Sequence, residues 1–216
     1  MHGEKSIVEH ITAGLEKVAA ALRSQAWEGG TTRNLTPTQG RILVLLAERA
    51  GQGIRLNDVA NELSITAATA SDAVIALVQK GLVRKERSAE DNRALTITLT
   101  ATGRREAQRT VGWTAVVRAG VQSLTPAEQT VFLRGLTKVI RSLQEQGVIS
   151  VARMCAGCSY FRPYVHAHAA HPHHCAFVDM PMGEGQVRLD CSDFVPASQT
   201  DGARRWQEFL SGSEGR

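Results

Sequence analysis

Between residues 56 and 100 the spacing of apolar side chains changes period, and this change constrains the fold more than any other feature of the chain. Leu56, Val59, Ala60 and Leu63 fall on one side of a short helix, and Ser64-Ile65 interrupts it. Thr66 is a good cap for a second helix, whose buried stripe is expected at Ala70, Val74, Leu77 and Val78 and which Gly81 ends. The period then becomes two. LVRKERS and ALTITLT read as strands around the turn AEDNR, which is rich in charge and in turn formers. Two short helices across a tight turn, followed at once by a hairpin, form a helix-turn-helix with a wing, the second helix being the expected reader.

Longer helical patterns flank this block. Ile7, Ile11, Leu15, Val18 and Leu22 mark a first helix ending near Gly29-Gly30. In LTPTQ, Thr36, Pro37 and Gln39 stand where a capping box with proline at the first turn needs them, and Ile42, Leu45 and Leu46 follow on one face. Helical patterns return over 101–122 and 125–146. The second opens on Thr125-Pro126-Ala127-Glu128, carries Phe132, Leu136, Val139, Ile140 and Leu143, and stops at Gly147. No window holds 18 apolar residues, so no membrane span is expected, and MHGEKSIVEH lacks the apolar run of a signal peptide. A cytoplasmic protein is the expectation.

Charge is unevenly placed. Lys80 to Arg109 holds 8 basic and 4 acidic side chains, a local excess suited to a polyanion. The motifs LTPTQGRILVLL, LNDVANELSITAATASDAVIALVQKGLVRK and DNRALTITLTATG, in that order, resemble the MarR family of winged-helix regulators over roughly residues 5–146. Asp91 and Arg93 match the wing's D-x-R pattern. Leu99, Thr100 and Gly103 match the L-T-x-x-G leading into the next helix. The resemblance implies double-stranded DNA as partner and a homodimer built from the terminal helices. A guanidinium at a hairpin tip can enter a minor groove or grip phosphate, which makes Arg93 the foremost DNA contact, with Lys85 and Arg87 as phosphate binders. In the reader helix, Thr66, Ala68, Thr69 and Ser71 are small enough for close groove approach, but no Arg, Lys, Asn or Gln is there for bidentate base contacts. Capping and surface filling account for Thr66 and Thr69 equally well.

All four cysteines, Cys155, Cys158, Cys175 and Cys191, lie in the last third of the chain, with the spacing C-x2-C-x16-C-x15-C. In a chain without an export signal, clustered thiols point to metal rather than disulfides. Zinc ribbons present two tight C-x2-C pairs, and here there is one. The text CAGCSYF, HCAF, DCSDF instead resembles the cluster-binding segment of high-potential iron–sulfur proteins, which implies a 4Fe–4S cluster on these four thiolates; zinc is the alternative. Tyr160, Phe161, Phe177 and Phe194 would shield such a centre, although Leu189-Asp190 departs from the aromatic expected before the last cysteine. His166, His168, His171, His173 and His174 read as a solvated loop, with His173 or His174 in reach of a sulfur.

The expected fold is mainly α with a small β wing. A winged helix-turn-helix and helical dimerisation region would span 1–147, an irregular cysteine-ligated module 148–197, and a tail with at most one short helix 198–216. No substrate pocket, nucleotide-binding glycine loop or paired nucleophile is legible, so a regulator is expected rather than an enzyme. Its four-thiolate centre would report redox state, oxygen, nitric oxide or iron supply.

Overall fold

The computed structural model describes residues 6–31, 34–49, 53–87, 95–110, 115–149 and 152–212. The chain divides into two compact units, Met1–Ser123 and Leu124–Arg216. Among the described residues no helix is long and apolar enough to cross a membrane.

The first unit runs α1 (Ile7–Thr31), α2 (Pro37–Glu48), β1 (Ile54–Arg55), α3 (Leu56–Leu63), α4 (Ala67–Gln79), β2 (Val83–Arg87), β3 (Leu95–Leu99), α5 (Ala101–Thr110) and α6 (Ala115–Gln122). The capping box forms as its residues require. Thr36 Oγ1 accepts the Gln39 N–H at 3.2 Å, and Gln39 Oε1 accepts the Thr36 N–H at 3.3 Å. Helix α2 buries Leu43 as well as Ile42, Leu45 and Leu46, because α3, α4, α5 and β3 surround it. A helix packed on several sides buries more than one stripe. In α4 the buried positions are Ala70, Ala73, Val74 and Leu77; Val78, expected in that stripe, is exposed. The pattern over 101–122 resolves into α5 and α6.

The wing is an antiparallel sheet ordered β1-β3-β2, with Val83 opposite Leu99 and Ile54 opposite Ile97. Strand β1 has two residues, too few for an alternating pattern to mark. The L-T-x-x-G text has a local cause. Thr100 Oγ1 accepts the Gly103 N–H at 3.0 Å, starting α5, and its hydroxyl donates to the Gly81 carbonyl at 2.8 Å. A β-carbon at position 103 would run into the carbonyl oxygen of Leu82, so only glycine allows this approach of α5 to the strand.

The second unit holds α7 (Pro126–Glu145), a 3₁₀ turn at Cys155–Gly157, β4 (Phe161–Arg162), β5 (His173–Cys175), β6 (Met180–Met182), a 3₁₀ turn at Glu184–Gln186, and α8 (Gln199–Ser211). The cysteine region is therefore less irregular than expected: β4, β5 and β6 form a small antiparallel sheet in that order. The units part at Ser123/Leu124, before α7, whereas the sequence suggested 147/148. The expected tail is also part of the unit, because α8 buries Phe209 in its core.

Helix α7 joins the cysteine region through side chains without apolar periodicity. Arg134 donates to Tyr164 Oη at 2.8 Å and to the Phe209 carbonyl at 2.6 Å, in the last turn of α8, where a cation also complements the helix dipole. Its guanidinium lies 4.9 Å from the centre of the Phe209 ring, and that of Arg141 lies 6.0 Å from the Trp206 ring. Arg134, Thr137 and Arg141 share one face of α7. At 100° per residue, Phe132, Leu136, Val139, Ile140 and Leu143 fall on the opposite face, where Phe132 and Val139 are exposed in the single chain.

Candidate nucleic-acid interface and cysteine site

The helix-turn-helix depends on a sharp turn. Ser64 closes α3 in the left-handed conformation, φ 52°, and the Ile65 N–H donates back to the Ala60 carbonyl at 3.0 Å. Thr66 then caps α4, accepting the Thr69 N–H at 3.1 Å, and the Thr66 and Thr69 hydroxyls lie 2.8 Å apart. Thr66, Ala68 and Thr69 are exposed at the first turn, and Ser71 is half-buried behind them. Thr66 thus serves as the cap, and both threonines stand exposed at the helix N-terminus.

Register sorts the wing's charges by face. Lys85 and Arg87 share one face of β2, opposite Ile97 and Leu95, and both are exposed. Arg84 and Glu86 occupy the other face, where they pair with each other and Glu86 accepts from the Thr98 hydroxyl at 2.9 Å. Glu86 is accordingly held below the usual carboxylate range, first by the Thr98 hydrogen bond and then by Arg84. Lys85 and Arg87, the two expected phosphate contacts, thus stand apart from the Arg84–Glu86 pair. Arg93 and Asp91 lie outside the described residues.

The second unit brings all four cysteines to the wall of one cavity of about 350 Å³. Cys155 and Cys158 flank the 3₁₀ turn, and the Cys158 N–H donates to the Cys155 carbonyl at 2.9 Å, which sets both thiols on one loop. Cys175 ends β5, opposite Phe161 of β4 and Met180 of β6. Cys191 is held through its N–H on the Arg153 carbonyl at 3.1 Å. Asp190 pairs with Arg153 at 2.6 Å, which accounts for an acid at that departure from the aromatic pattern. Tyr160, Phe161, Phe177, Met180 and Met182 complete much of the wall, and Tyr160 and Phe177 meet with ring centres 5.3 Å apart. Phe194 instead packs near Gly157, in the core beside the cavity.

Burial pushes the Cys155 thiol up to about 11, and the charges of Cys191, Cys158 and Cys175 push the same way; the Arg188 backbone N–H, 3.3 Å from its sulfur, opposes them. The other three sulfurs thus lie within electrostatic reach of Cys155. Yet among the described residues no three His, Cys, Asp or Glu side chains close on a point one metal ion could occupy.

Two expected histidine roles are corrected. His173 is fully buried, its Nδ1 accepting the Tyr164 N–H at 3.2 Å and its Nε2 facing Glu184 at 3.4 Å, among Phe161, Tyr164 and Phe209. His174 meets His166 at 3.2 Å and Asp179 at 3.2 Å. His173 is thus a core residue rather than part of a solvated loop, and His174 has His166 and Asp179 as its neighbours. The side chains that sequence reasoning missed are Arg188, whose Nη1 lies 3.7 Å from Cys191 Sγ, and the group of Arg134, Tyr164, Glu184 and His173.

The MarR family model matches residues 33–94. No curated protein matches the chain. Among solved structures, the chain is similar to the MepR–DNA complex of Staphylococcus aureus, at 25% identity over 65% of this chain and 100% of that one, with a TM-score of 0.54. S. aureus MepR in its DNA-binding conformation matches at 24% identity over 62% and 98%, TM-score 0.57. The transcriptional regulator SlyA matches at 21% over 63% and 95%, TM-score 0.56. The last two likenesses concern the fold. The matched segment runs from just before α2 to the wing and contains none of the cysteines. What this chain has in common with the MarR family model is thus the segment 33–94, which holds α2, the helix-turn-helix and the first strand of the wing hairpin.

Proposed function

We propose that this protein is a homodimeric transcription regulator that binds double-stranded DNA through its winged helix and carries a 4Fe–4S centre on Cys155, Cys158, Cys175 and Cys191. The DNA-binding part is supported by the MarR family match and by the likeness to a MepR–DNA complex. Thr66, Ala68, Thr69 and Ser71 would enter the groove, with Lys85, Arg87 and Arg93 on the backbone or in the minor groove. Dimerisation would cover the apolar residues left open on α1 and α7, where Ile7 is 74% and Val131 73% exposed. Half-sites about one helical turn apart, roughly 34 Å, are then expected.

The observation that carries the cofactor reading is the shape of the cysteine site. A single zinc ion holds four sulfurs at about 2.3 Å and would draw them round one point. Four cysteines spread over the wall of a cavity of about 350 Å³ leave room for a multi-atom cube. The aromatic and methionine wall and the Arg188 N–H on sulfur suit a partly shielded, hydrogen-bonded cluster. When bound, the group supplies a redox couple set by charge, hydrogen bonding and exposure. Its state would report redox poise, oxygen, nitric oxide or iron supply, and α7, tied to the site by Arg134, would bring that state to the dimer contact.

Anaerobically purified protein is expected to be brown, with about four irons and four sulfides per chain. Operator DNA titrated with intact and cluster-free protein at one salt concentration should differ in affinity by about 5–150-fold, the intact form being tighter. Arg93→Ala should weaken specific binding and lower the salt slope by about one. Colourless protein with stoichiometric zinc would replace the iron reading. Equal affinities in both states would remove the sensing role, and unchanged binding by the Arg93 variant would remove the wing assignment.

A further inference from the structure

We infer that Arg188 sets the redox potential of the cysteine-held centre by bringing positive charge to two of its four sulfurs, an inference that rests on the iron–sulfur reading above. One residue serves two thiolates by two routes. Its backbone N–H donates to Cys155 Sγ at 3.3 Å, and its guanidinium Nη1 donates to Cys191 Sγ at 3.7 Å. Its carbonyl accepts the Cys155 N–H at 3.0 Å, so the main chain at 188 is fixed to the cysteine loop in both directions.

The other charged groups nearby have different partners. Arg153 pairs with Asp190, Arg162 donates to the Ser159 and Phe161 carbonyls, and Arg205 donates to the Cys158 carbonyl at 2.9 Å. Asp193, which also lines the cavity, accepts from the Ser192 hydroxyl at 3.2 Å and acts on Arg188 by charge, less strongly than Cys191 does. Among the described residues, Arg188 is the cation placed against sulfur.

Reduction adds one negative charge to a centre of four thiolates, iron and sulfide. A cation beside those sulfurs stabilises the reduced form more than the oxidised one and so raises the potential. Because the guanidinium is exposed, water and salt screen it, which limits the effect and makes it depend on ionic strength.

The test is an anaerobic optical titration of the full-length protein with dithionite through mediators, one electron entering the centre with no bond formed or broken. Wild type, Arg188→Lys, Arg188→Gln and Arg188→Glu are compared at low and high salt, with iron and sulfide measured for each. Lysine should stay near wild type. Glutamine should shift the reduction equilibrium about tenfold towards the oxidised form, about 59 mV lower, and glutamate about as far again. These differences should shrink in high salt. Iron-loaded variants with one common potential at both salts would overturn the role of Arg188 and leave the cluster standing. Loss of iron in the glutamine variant, with a lysine variant whose potential ignores salt, would make Arg188 an assembly residue and overturn the proposal. Wild-type protein without iron and sulfide would overturn the cluster reading itself.

Discussion

In the first unit the fully buried side chains are aliphatic ones such as Ile42, Leu43, Val59, Val74 and Leu77, each donated by a helix that packs on its neighbours. In the second unit the buried group is Cys155, Cys158, Phe161, Val187 and Phe209, ringed by half-buried Tyr160, Tyr164, Met182, Phe194 and Trp206. The first core fills itself. The second is arranged around a cavity that its own cysteines line, so three members of the core, Cys155, Cys158 and Phe161, are also walls of the site. Burial of apolar area from water can stabilise the first unit without help. The second has short strands of two and three residues, and such small sheets draw little stability from their own pairing. The contents of the cavity should therefore matter to the folding of one unit and not to that of the other, as in small domains where metal binding is part of the folding free energy.

The largest expected effect breaks the comparison on the cysteine side. Cys175→Ser or Cys191→Ser should strip the centre and strongly reduce hydrogen-exchange protection over residues 155–211, while protection in α2 and α4 stays at the wild-type level. If the serine variants retain protection around Phe161 and Phe209, the aromatic core stands alone and the thiols are not part of its support. Replacement of His171 by Ala should leave iron content unchanged, since that ring faces His168 at 5.5 Å and lies outside the cavity wall.

The aliphatic side gives the next effect. Leu43 is completely buried in α2, and Leu43→Ala should cost about 2–5 kcal/mol through lost burial and the space left behind. The denaturant midpoint of the first unit should fall with iron and sulfide unaltered. A parallel loss of iron would show that the two units fold as one.

The same contrast explains what could be read from the chain beforehand. The capping boxes at Thr36 and Thr125, the period switch at Gly81 and the stop at Gly147 are local signals, and the structure follows each of them. Leu43 escaped the one-stripe reading because that reading assumes a helix with one packed side. Strand β1 escaped because its partner, β3, lies some forty residues away. In the second unit, the C-x2-C spacing and the aromatics after the cysteines marked the region, but Arg188 reaches sulfur, and Arg134 reaches Tyr164 and two carbonyls, by contacts that no period encodes. One signal was available. Arg134, Thr137 and Arg141 recur at i, i+3 and i+7, a polar stripe opposite the apolar one, and such a second face on α7 implies a second neighbour. Reading it would have set α7 with the cysteine region.

The smallest effect sharpens the contrast on that second face. Glu184 accepts from the Tyr164 hydroxyl at 2.5 Å and faces His173 and Arg134, each at 3.4 Å. These contacts, His173 first and Tyr164 next, hold its carboxyl below the usual range against the opposing effect of burial. A carboxylate whose folded pKa is lowered contributes stability above its unfolded value, about 4.3, and loses it only as pH falls through the folded value. Glu184→Gln should thus destabilise the second unit by about 1–2 kcal/mol, the scale of hydrogen bonds to a charged group reduced for partial exposure. Because both pKa values lie below 5, the gap between wild type and variant should stay flat from pH 8 to pH 5, a range that also avoids acid loss of a cluster. Denaturant midpoints of the second unit, read from tryptophan fluorescence with Trp206 in its core and taken at pH 8, 7, 6 and 5, measure it directly. A gap that changes between pH 7 and pH 6 would mean that the Glu184 carboxylate is not what fastens α7 to the cysteine site.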